Sequence, residues 1–488
     1  MNYKALPYNR SLALLTDFYE MSMAYGYWKS KSAGKEAVFH LFFRKNPFQG
    51  GFAVACGLEH VIDYLENFRF DKTDLEYLAS FRGNDNKLIF EKAFLDYLGK
   101  LEFACDIDAV PEGTIVFPHE PLMRVHGPII QAQILETALL NILNFQTLIA
   151  TKAARMLIAS QGTPILEFGL RRAQGIDGAL TASRAAYIGG CAATSNVLAG
   201  KLFGIPVRGT QAHSWIMTFD EEAEAFLAYA RAMPNNCIFL VDTFDTLEGV
   251  RRAVATGKWL RRHGHEMIGI RLDSGNLARL SIEARKILDE GGFPKAIIVA
   301  SNELDEKAIV GLKKRGAKVA VLGVGTKLIT AYDQPALGGV YKLSAIREPN
   351  GEWKYKVKLS EEKEKTSNPG ILQVRRYSKG GKALADVIYD QKADLTNGCV
   401  MLNPFAPKRR QFLPASLASH DLLVPVFREG RRVYPEVAIE EIRKNTRRNL
   451  DCFPAGIKRL VRPGQFPVGL EKSLHDLRTD LIRKAQKK

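Results

Sequence analysis

The sequence predicts an α/β fold in which an irregular, incomplete β/α barrel is joined to a smaller α/β domain. Two observations carry that expectation. Six short apolar runs, at 164–168, 205–209, 238–242, 267–271, 296–300 and 319–323, each stop at glycine or polar residues. Helix-like stretches fill most of the gaps, which is the alternation of a parallel α/β domain. Six runs fall short of the eight strands of a complete barrel. No G-x-G-x-x-G opens the region, so a doubly wound dinucleotide-binding sheet fits less well. The natural consequence is an active site assembled from strand ends.

The elements follow in chain order. Residues 10–30 begin with a helix that Thr16 or Asp17 can cap, with Phe18, Met21 and Tyr25 on one face. Residues 37–43 have strand composition, 55–100 carry helical patterns, and strand-like pieces return at 103–126 among the turn signals Pro111, Gly113 and Pro118. A long helix covers about 129–160, placing Ile130, Ile134, Ala138 and Ile142 on one face. Beyond Pro335, residues 338–343, 353–358 and 385–389 read as antiparallel strands and the charged segment 360–365 as a solvated loop. The chain ends in an amphipathic helix with Leu470, Leu474, Leu477 and Leu481 near one face. The expected domains are 1–128 for the first part of the α/β domain, 129–335 for the barrel, 336–445 for the strand-rich remainder, and 446–488 for a C-terminal helical extension.

A chain of 488 residues exceeds a typical single core. With 46% hydrophobic and 25% charged residues its composition is that of an ordinary globular protein. No leader pattern and no run of about 18 uncharged apolar residues occurs, so a cytoplasmic protein without a membrane span is expected. Six scattered cysteines without a C-x-x-C pair argue against a zinc site or a disulfide framework, and for buried thiols. The net charge is +16, with basic residues dispersed apart from short clusters at 408–410 and 484–488. Without a nucleic-acid-binding motif, that charge points to small anions such as phosphate or pyrophosphate rather than nucleic acid.

The strand-end motifs carry the chemistry. Gly323-Val-Gly-Thr326 offers backbone N–H groups and a hydroxyl to a phosphate, although a tight strand-to-helix turn would use the same residues. Arg271-Leu-Asp-Ser-Gly-Asn276 combines a cation and a carboxylate at a helix start. Asp273 or Ser274 could also simply cap the next helix. Arg171 and Arg172 follow a strand, where burying an unpaired cation is costly unless an anion visits. His213, in Gly209-Thr-Gln-Ala-His-Ser-Trp215, stands beyond a strand end as a candidate general base or phosphoryl acceptor. Tyr19 is helix material whose ring could stack on a flat substrate.

Taken together, these segments resemble the nicotinate phosphoribosyltransferase family. The resemblance rests on Leu15-Thr-Asp-Phe-Tyr19, Phe42-Phe-Arg-Lys-Asn-Pro-Phe48, Glu167-Phe-Gly-Leu-Arg-Arg-Ala-Gln-Gly175 and Ser195-Asn-Val-Leu-Ala-Gly200. It also rests on Gly209-Thr-Gln-Ala-His-Ser214, Arg271-Leu-Asp-Ser-Gly275, Ser301-Asn302 and Gly323-Val-Gly-Thr326. It implies a fold like that of the type II phosphoribosyltransferases, with the smaller domain built from chain on both sides of the barrel, and a homodimer with shared active sites. The implied reaction converts nicotinate and 5-phosphoribosyl 1-pyrophosphate to nicotinate mononucleotide and pyrophosphate. ATP is the implied co-substrate, hydrolysed through a phosphohistidine in a ligase-type coupling, and Mg2+ is held mainly by pyrophosphate. The implied pathway is NAD salvage.

The resemblance makes His213 the phosphorylated residue. It assigns Tyr19, Phe168, Thr210 and Arg271 to nicotinate. Arg171, Asp273, Ser274, Gly275, Asn302, Gly323, Gly325 and Thr326 fall to the phosphoribosyl and pyrophosphate groups. Asn196, where nicotinamide-using relatives carry an aspartate, adds an expectation of nicotinate over nicotinamide. Competing readings are a nicotinamide- or quinolinate-type transferase, and an inactive barrel serving as a metabolite sensor or RNA-binding scaffold.

Overall fold

The computed structural model describes residues 11–362 and 365–487, without the side chains of 407–409. Residue 10 of the first expected helix, residues 363–364 of the charged segment, the side chains of Lys408 and Arg409, and Lys488 lie outside the described residues. The chain divides into two compact units, one formed by residues up to 148 and from 336 onward, the other by 149–335.

In the second unit a six-stranded parallel sheet has the order Ala193–Thr194, Ile165–Glu167, Val321–Val324, Ile297–Ala300, Gly269–Leu272, Ile238–Leu240. Read as a ring, that spatial order is the chain order, because the last strand pairs with the first (Gly323 opposite Leu166). A doubly wound sheet would instead reverse direction at a switch point. The ring is an open barrel. The strand expected at 205–209 is reduced to one bridge between Val207 and Thr194, and the pairing strand there is Ala193–Thr194, outside the six apolar runs. Pro206 lacks an N–H for a ladder, which limits pairing on that segment. Helices such as Gly175–Ile188, Thr246–Arg262, Leu277–Glu290 and Glu306–Lys314 follow the strands. Buried Val, Ile and Leu in nearly unbroken runs account for these short strands, since both faces of a parallel sheet are covered.

In the first unit the N-terminal strand Glu36–Phe43 pairs antiparallel with Gly339–Arg347 and with Met123–Pro128. The unit is therefore stitched from chain on both sides of the barrel. Phe39 and Tyr341 stack across the first of these pairings at 4.8 Å. Residues 129–148, expected with the barrel, join this unit, and Ile130, Ile134, Ala138 and Leu139 are fully buried in its core. The region after 446 is not solely helical. Val468–Glu471 is a strand between Lys382–Asp390 and Cys399–Asn403, followed by the helix Lys472–Gln486, which Glu471 caps. Five of the six cysteines are buried as expected, whereas Cys452 is exposed. Among the described residues no helix is long and apolar enough to cross a membrane.

Candidate active site

The strand Gly269–Leu272 carries Arg271 to the end of the parallel sheet, where four of its five N–H groups are committed. Nε donates to Ser301 Oγ (2.8 Å), Nη2 to Asp273 Oδ1 (2.8 Å), and Nη1 to Thr210 Oγ1 (3.1 Å) and the Gln211 carbonyl (3.3 Å). The guanidinium lies 5.7 Å from the centroid of the Phe168 ring. Ser301 also donates to Asp273. Segments after three strands, together with the 209–213 loop, thus converge on one cation.

Asp273 joins this cluster to His213, whose Nε2 lies 3.7 Å from Asp273 Oδ2. His213 Nδ1 contacts Thr243 Oγ1 at 3.1 Å. Burial pushes the Asp273 carboxyl up, but the Ser301 hydrogen bond, the Arg271 charge and His213 outweigh it and hold the group below its ordinary value. The helix that follows is capped by Asn276, whose Oδ1 accepts from Arg279 N, so neither Asp273 nor Ser274 is the cap. Asp242 instead orders this turn. Its Oδ2 accepts from Asp273 N and from Ser274 Oγ, each at 2.7 Å. Gly275 occupies the left-handed region at φ +72°, which a side chain would strain.

Phe168 fixes the other side. Its N–H donates to the Val324 carbonyl (2.8 Å), and its ring fills the space beside Gly323, where a Cβ would come within 2.7 Å of it. Gly323 is thus required by packing, whatever binds nearby. Gly325 and Thr326 begin a single helical turn, Thr326–Ile329, and Ile329 packs against Gly169 so tightly that a Cβ there would lie 2.4 Å away. Glu167 is fully buried, accepting from Ser183 Oγ and Thr194 Oγ1, and serves the fold.

The structure places the remaining expected residues and corrects the surroundings expected for some of them. Arg171 and Arg172 are exposed and, among the described residues, form no ion pair, so the cost of burying an unpaired cation does not apply to them. His213 opens a short helix, His213–Ile216, rather than standing at the end of a regular strand. Asn302 is exposed at φ +98° beside the cluster residue Ser301. Asn196 is buried, its Oδ1 capping Ala199 N and its Nδ2 reaching Ser183 Oγ, so its amide is used by the fold. Tyr19 lies in the other unit, exposed on the helix Phe18–Lys29. Asp242, Thr243 and Ser301 were not assigned roles from sequence. The strand-end rule that selected Asp273 applies equally to all three.

Comparison with known proteins decides the family. Family models described as the nicotinate phosphoribosyltransferase N-terminal domain, family and C-terminal domain match residues 14–144, 164–368 and 373–478. The chain belongs to the nicotinate phosphoribosyltransferase family. It is 43% identical over 471 residues to nicotinate phosphoribosyltransferase of Bacillus subtilis, spanning 95% of this chain and 93% of that one. The human nicotinate phosphoribosyltransferase is 34% identical over 95% of each chain. The crystal structure of human nicotinic acid phosphoribosyltransferase superimposes with a TM-score of 0.83 at 31% identity, covering 96% of this chain and 99% of that one. Nicotinate-nucleotide pyrophosphorylase from Pyrococcus furiosus shares the fold at a TM-score of 0.68 and 23% identity over 90% of this chain and 95% of that one.

Proposed function

We propose that this chain is a nicotinate phosphoribosyltransferase. The pyridine nitrogen of nicotinate attacks C1 of 5-phosphoribosyl 1-pyrophosphate. The C1–O bond breaks, and pyrophosphate leaves with the bonding pair. The observation that carries this reading is the anchored Arg271. Its guanidinium is locked in one orientation beside the Thr210 hydroxyl and the Phe168 ring. A pyridine carboxylate would meet a fixed cation and a hydroxyl donor there at little reorganisation cost. Asp273, Ser274, Gly275, Asn302, Gly323, Gly325, Thr326 and the exposed Arg171 are the proposed partners of the ribose phosphate and pyrophosphate.

We assign ATP to His213. With Nδ1–H donating to Thr243, Nε2 carries the lone pair. It bonds to the γ-phosphorus as the bond to the bridging oxygen breaks, and ADP leaves with that pair; water later cleaves the N–P bond. The added charge, about −1.5 to −2 by analogy with other phosphorylated side chains, would reset the pyrophosphate site between turnovers. For magnesium, the described residues contain no group of three or more acidic, histidine or cysteine side chains placed to hold a metal ion. The available protein oxygens are Asp242 Oδ1, buried without a protein partner, and Asp273 Oδ2. Two such donors fit an ion carried chiefly by pyrophosphate oxygens, which would stabilise the leaving charge. A homodimer is supported by exposed Leu170, Ile176, Val197, Met217 and Phe244 in segments that follow strand ends. Tyr19 of a second copy would then stack on the pyridine. We assign the reaction to the cytoplasm and to NAD salvage.

The test is pyrophosphate release from nicotinate and 5-phosphoribosyl 1-pyrophosphate, with and without ATP. Release stimulated by ATP, and lost as stimulation in His213→Ala, is the expected result. Equal kcat/KM for nicotinamide would overturn the substrate assignment.

A further inference from the structure

The first turn of the helix Phe18–Lys29 holds a buried acid, Glu20, with no solvent exposure. Its carboxylate is surrounded by donors. Oε2 accepts from Thr16 Oγ1, while Oε1 accepts from Thr137 N (3.1 Å), Thr137 Oγ1 (2.8 Å) and the Tyr19 phenol (3.2 Å). Tyr19 is 47% exposed, and its phenol is held at the polar end by Glu20, with Glu136 as a second acid partner.

We propose that Glu20 is the positioning residue of Tyr19, fixing the exposed ring in the orientation that stacks on the substrate pyridine. This rests on the reading of Tyr19 as the stacking ring. An ionised carboxylate accepts all four hydrogen bonds at once. A protonated one must spend an oxygen as a donor. The nearest acceptor is the Thr16 hydroxyl beside Oε2, which can turn its own proton to the Ile134 carbonyl at 3.2 Å. Protonation therefore turns the phenol's charge-assisted hydrogen bond to Oε1 into a weaker neutral one and loosens the ring.

The surroundings set where that happens. Burial pushes the Glu20 carboxyl up to about 7, and Glu136 adds to the rise. The hydrogen bonds from Thr137 and Tyr19 oppose it. The groups facing it are Asp17 and Tyr19 on its own segment, Glu136 on the helix Glu136–Ser160, Tyr64 on Leu58–Glu66, and Tyr341 on Gly339–Arg347. Lys342 lowers Glu136 and so opposes the acids of this group.

The test is the pH profile of the nicotinate KM, from pH 6 to 8.5, in the full-length protein and in Tyr19→Phe, Tyr19→Ala and Glu20→Gln. Glu20→Gln keeps the side-chain shape, and Tyr19→Phe changes one atom at an exposed position. In the unaltered protein KM falls as pH rises through about 7. Glu20→Gln and Tyr19→Phe each raise KM about three- to tenfold at pH 8, the worth of one charge-assisted hydrogen bond, with kcat changed less than twofold and the profile flattened. Combining the two adds nothing further. A Tyr19→Phe variant with unaltered KM and pH profile would overturn the proposal, as would a Glu20→Gln variant that keeps the pH dependence. If Tyr19→Ala leaves KM unchanged, the stacking role itself fails, and the positioning role falls with it.

Discussion

Asp273 in the barrel unit and Glu20 in the antiparallel unit are both acids removed wholly or largely from water, and both accept from hydroxyl groups. Their ionisation is nonetheless pushed in opposite directions. Asp273 has a guanidinium 2.8 Å away and an imidazole close by, and it stays below its ordinary value in spite of burial. Glu20 has, among the described residues, only hydroxyls and an amide as partners, with Glu136 close by, and burial carries it to about 7. Depth is not the deciding variable, because a cation within hydrogen-bonding reach reverses its effect. One cluster is thus a permanently charged clamp, and the other is charged only above neutrality.

The largest way to break the comparison is to remove that cation. Arg271→Ala is expected to lower kcat/KM for nicotinate by roughly 100-fold, the scale of losing hydrogen bonds to a charged group. Arg271→Lys should recover little of it, because an ammonium cannot span Ser301, Thr210, Gln211 and Asp273 together. Lysine with near-normal activity would show that charge alone suffices and that the fork is dispensable. Asp273→Asn is expected to cost less, about tenfold in kcat/KM, since the shape remains while the charge opposite Arg271 goes. The wild-type contribution of Asp273 is fully present above the unfolded value near 4 and is lost only as pH falls through its still lower folded value. No titration between pH 6 and 8 should therefore trace to it. A pH step in kcat/KM in that window that disappears in Asp273→Asn would sink this assignment.

These two clusters also differ in how far the sequence exposes them. The barrel, its open ring and the convergence of Thr210, His213, Arg271 and Asp273 follow from apolar runs that stop at polar residues, because strand ends in such folds meet at one face. The same rule extends to Asp242, Thr243 and Ser301. What it misses is pairing partner and register: Val207 makes one bridge, and the short strand Ala193–Thr194 takes the place beside Ile165–Glu167. A two-residue strand has no periodicity to read. Asn196 shows a second limit, since a residue type suited to substrate choice is committed to a cap and to Ser183. Arg171 shows the reverse, because sequence cannot tell a buried cation from an exposed one. Glu20 is the single acid of the helix Phe18–Lys29, with nothing local to mark it as buried, and it is enclosed by Thr137, more than 100 residues away.

The smallest effect, and the sharpest contrast, is on stability. A folded-state value near 7 means that native Glu20 binds a proton between about pH 4.5 and 7 where the unfolded chain does not. Its ionisation therefore costs folding free energy as pH rises through that window, on the order of 1 kcal/mol for each unit of displacement. Glu20→Gln never ionises. It should unfold at a higher denaturant midpoint than the unaltered protein at pH 8, and that advantage should shrink steadily toward pH 5. Asp273→Asn should do the opposite, losing stability at every pH above about 4, because there the ionised form is the favoured one. Denaturant midpoints for both variants at pH 5, 6.5 and 8 separate the two cases. If the Glu20→Gln advantage were independent of pH, the native carboxyl would already be charged at pH 5, and the cluster around it would have to supply a compensation its hydroxyls and acids do not offer. A gain confined to high pH means that the chain keeps an acid at Glu20 against its own stability, a trade suited to the proposed role of Glu20 in orienting Tyr19.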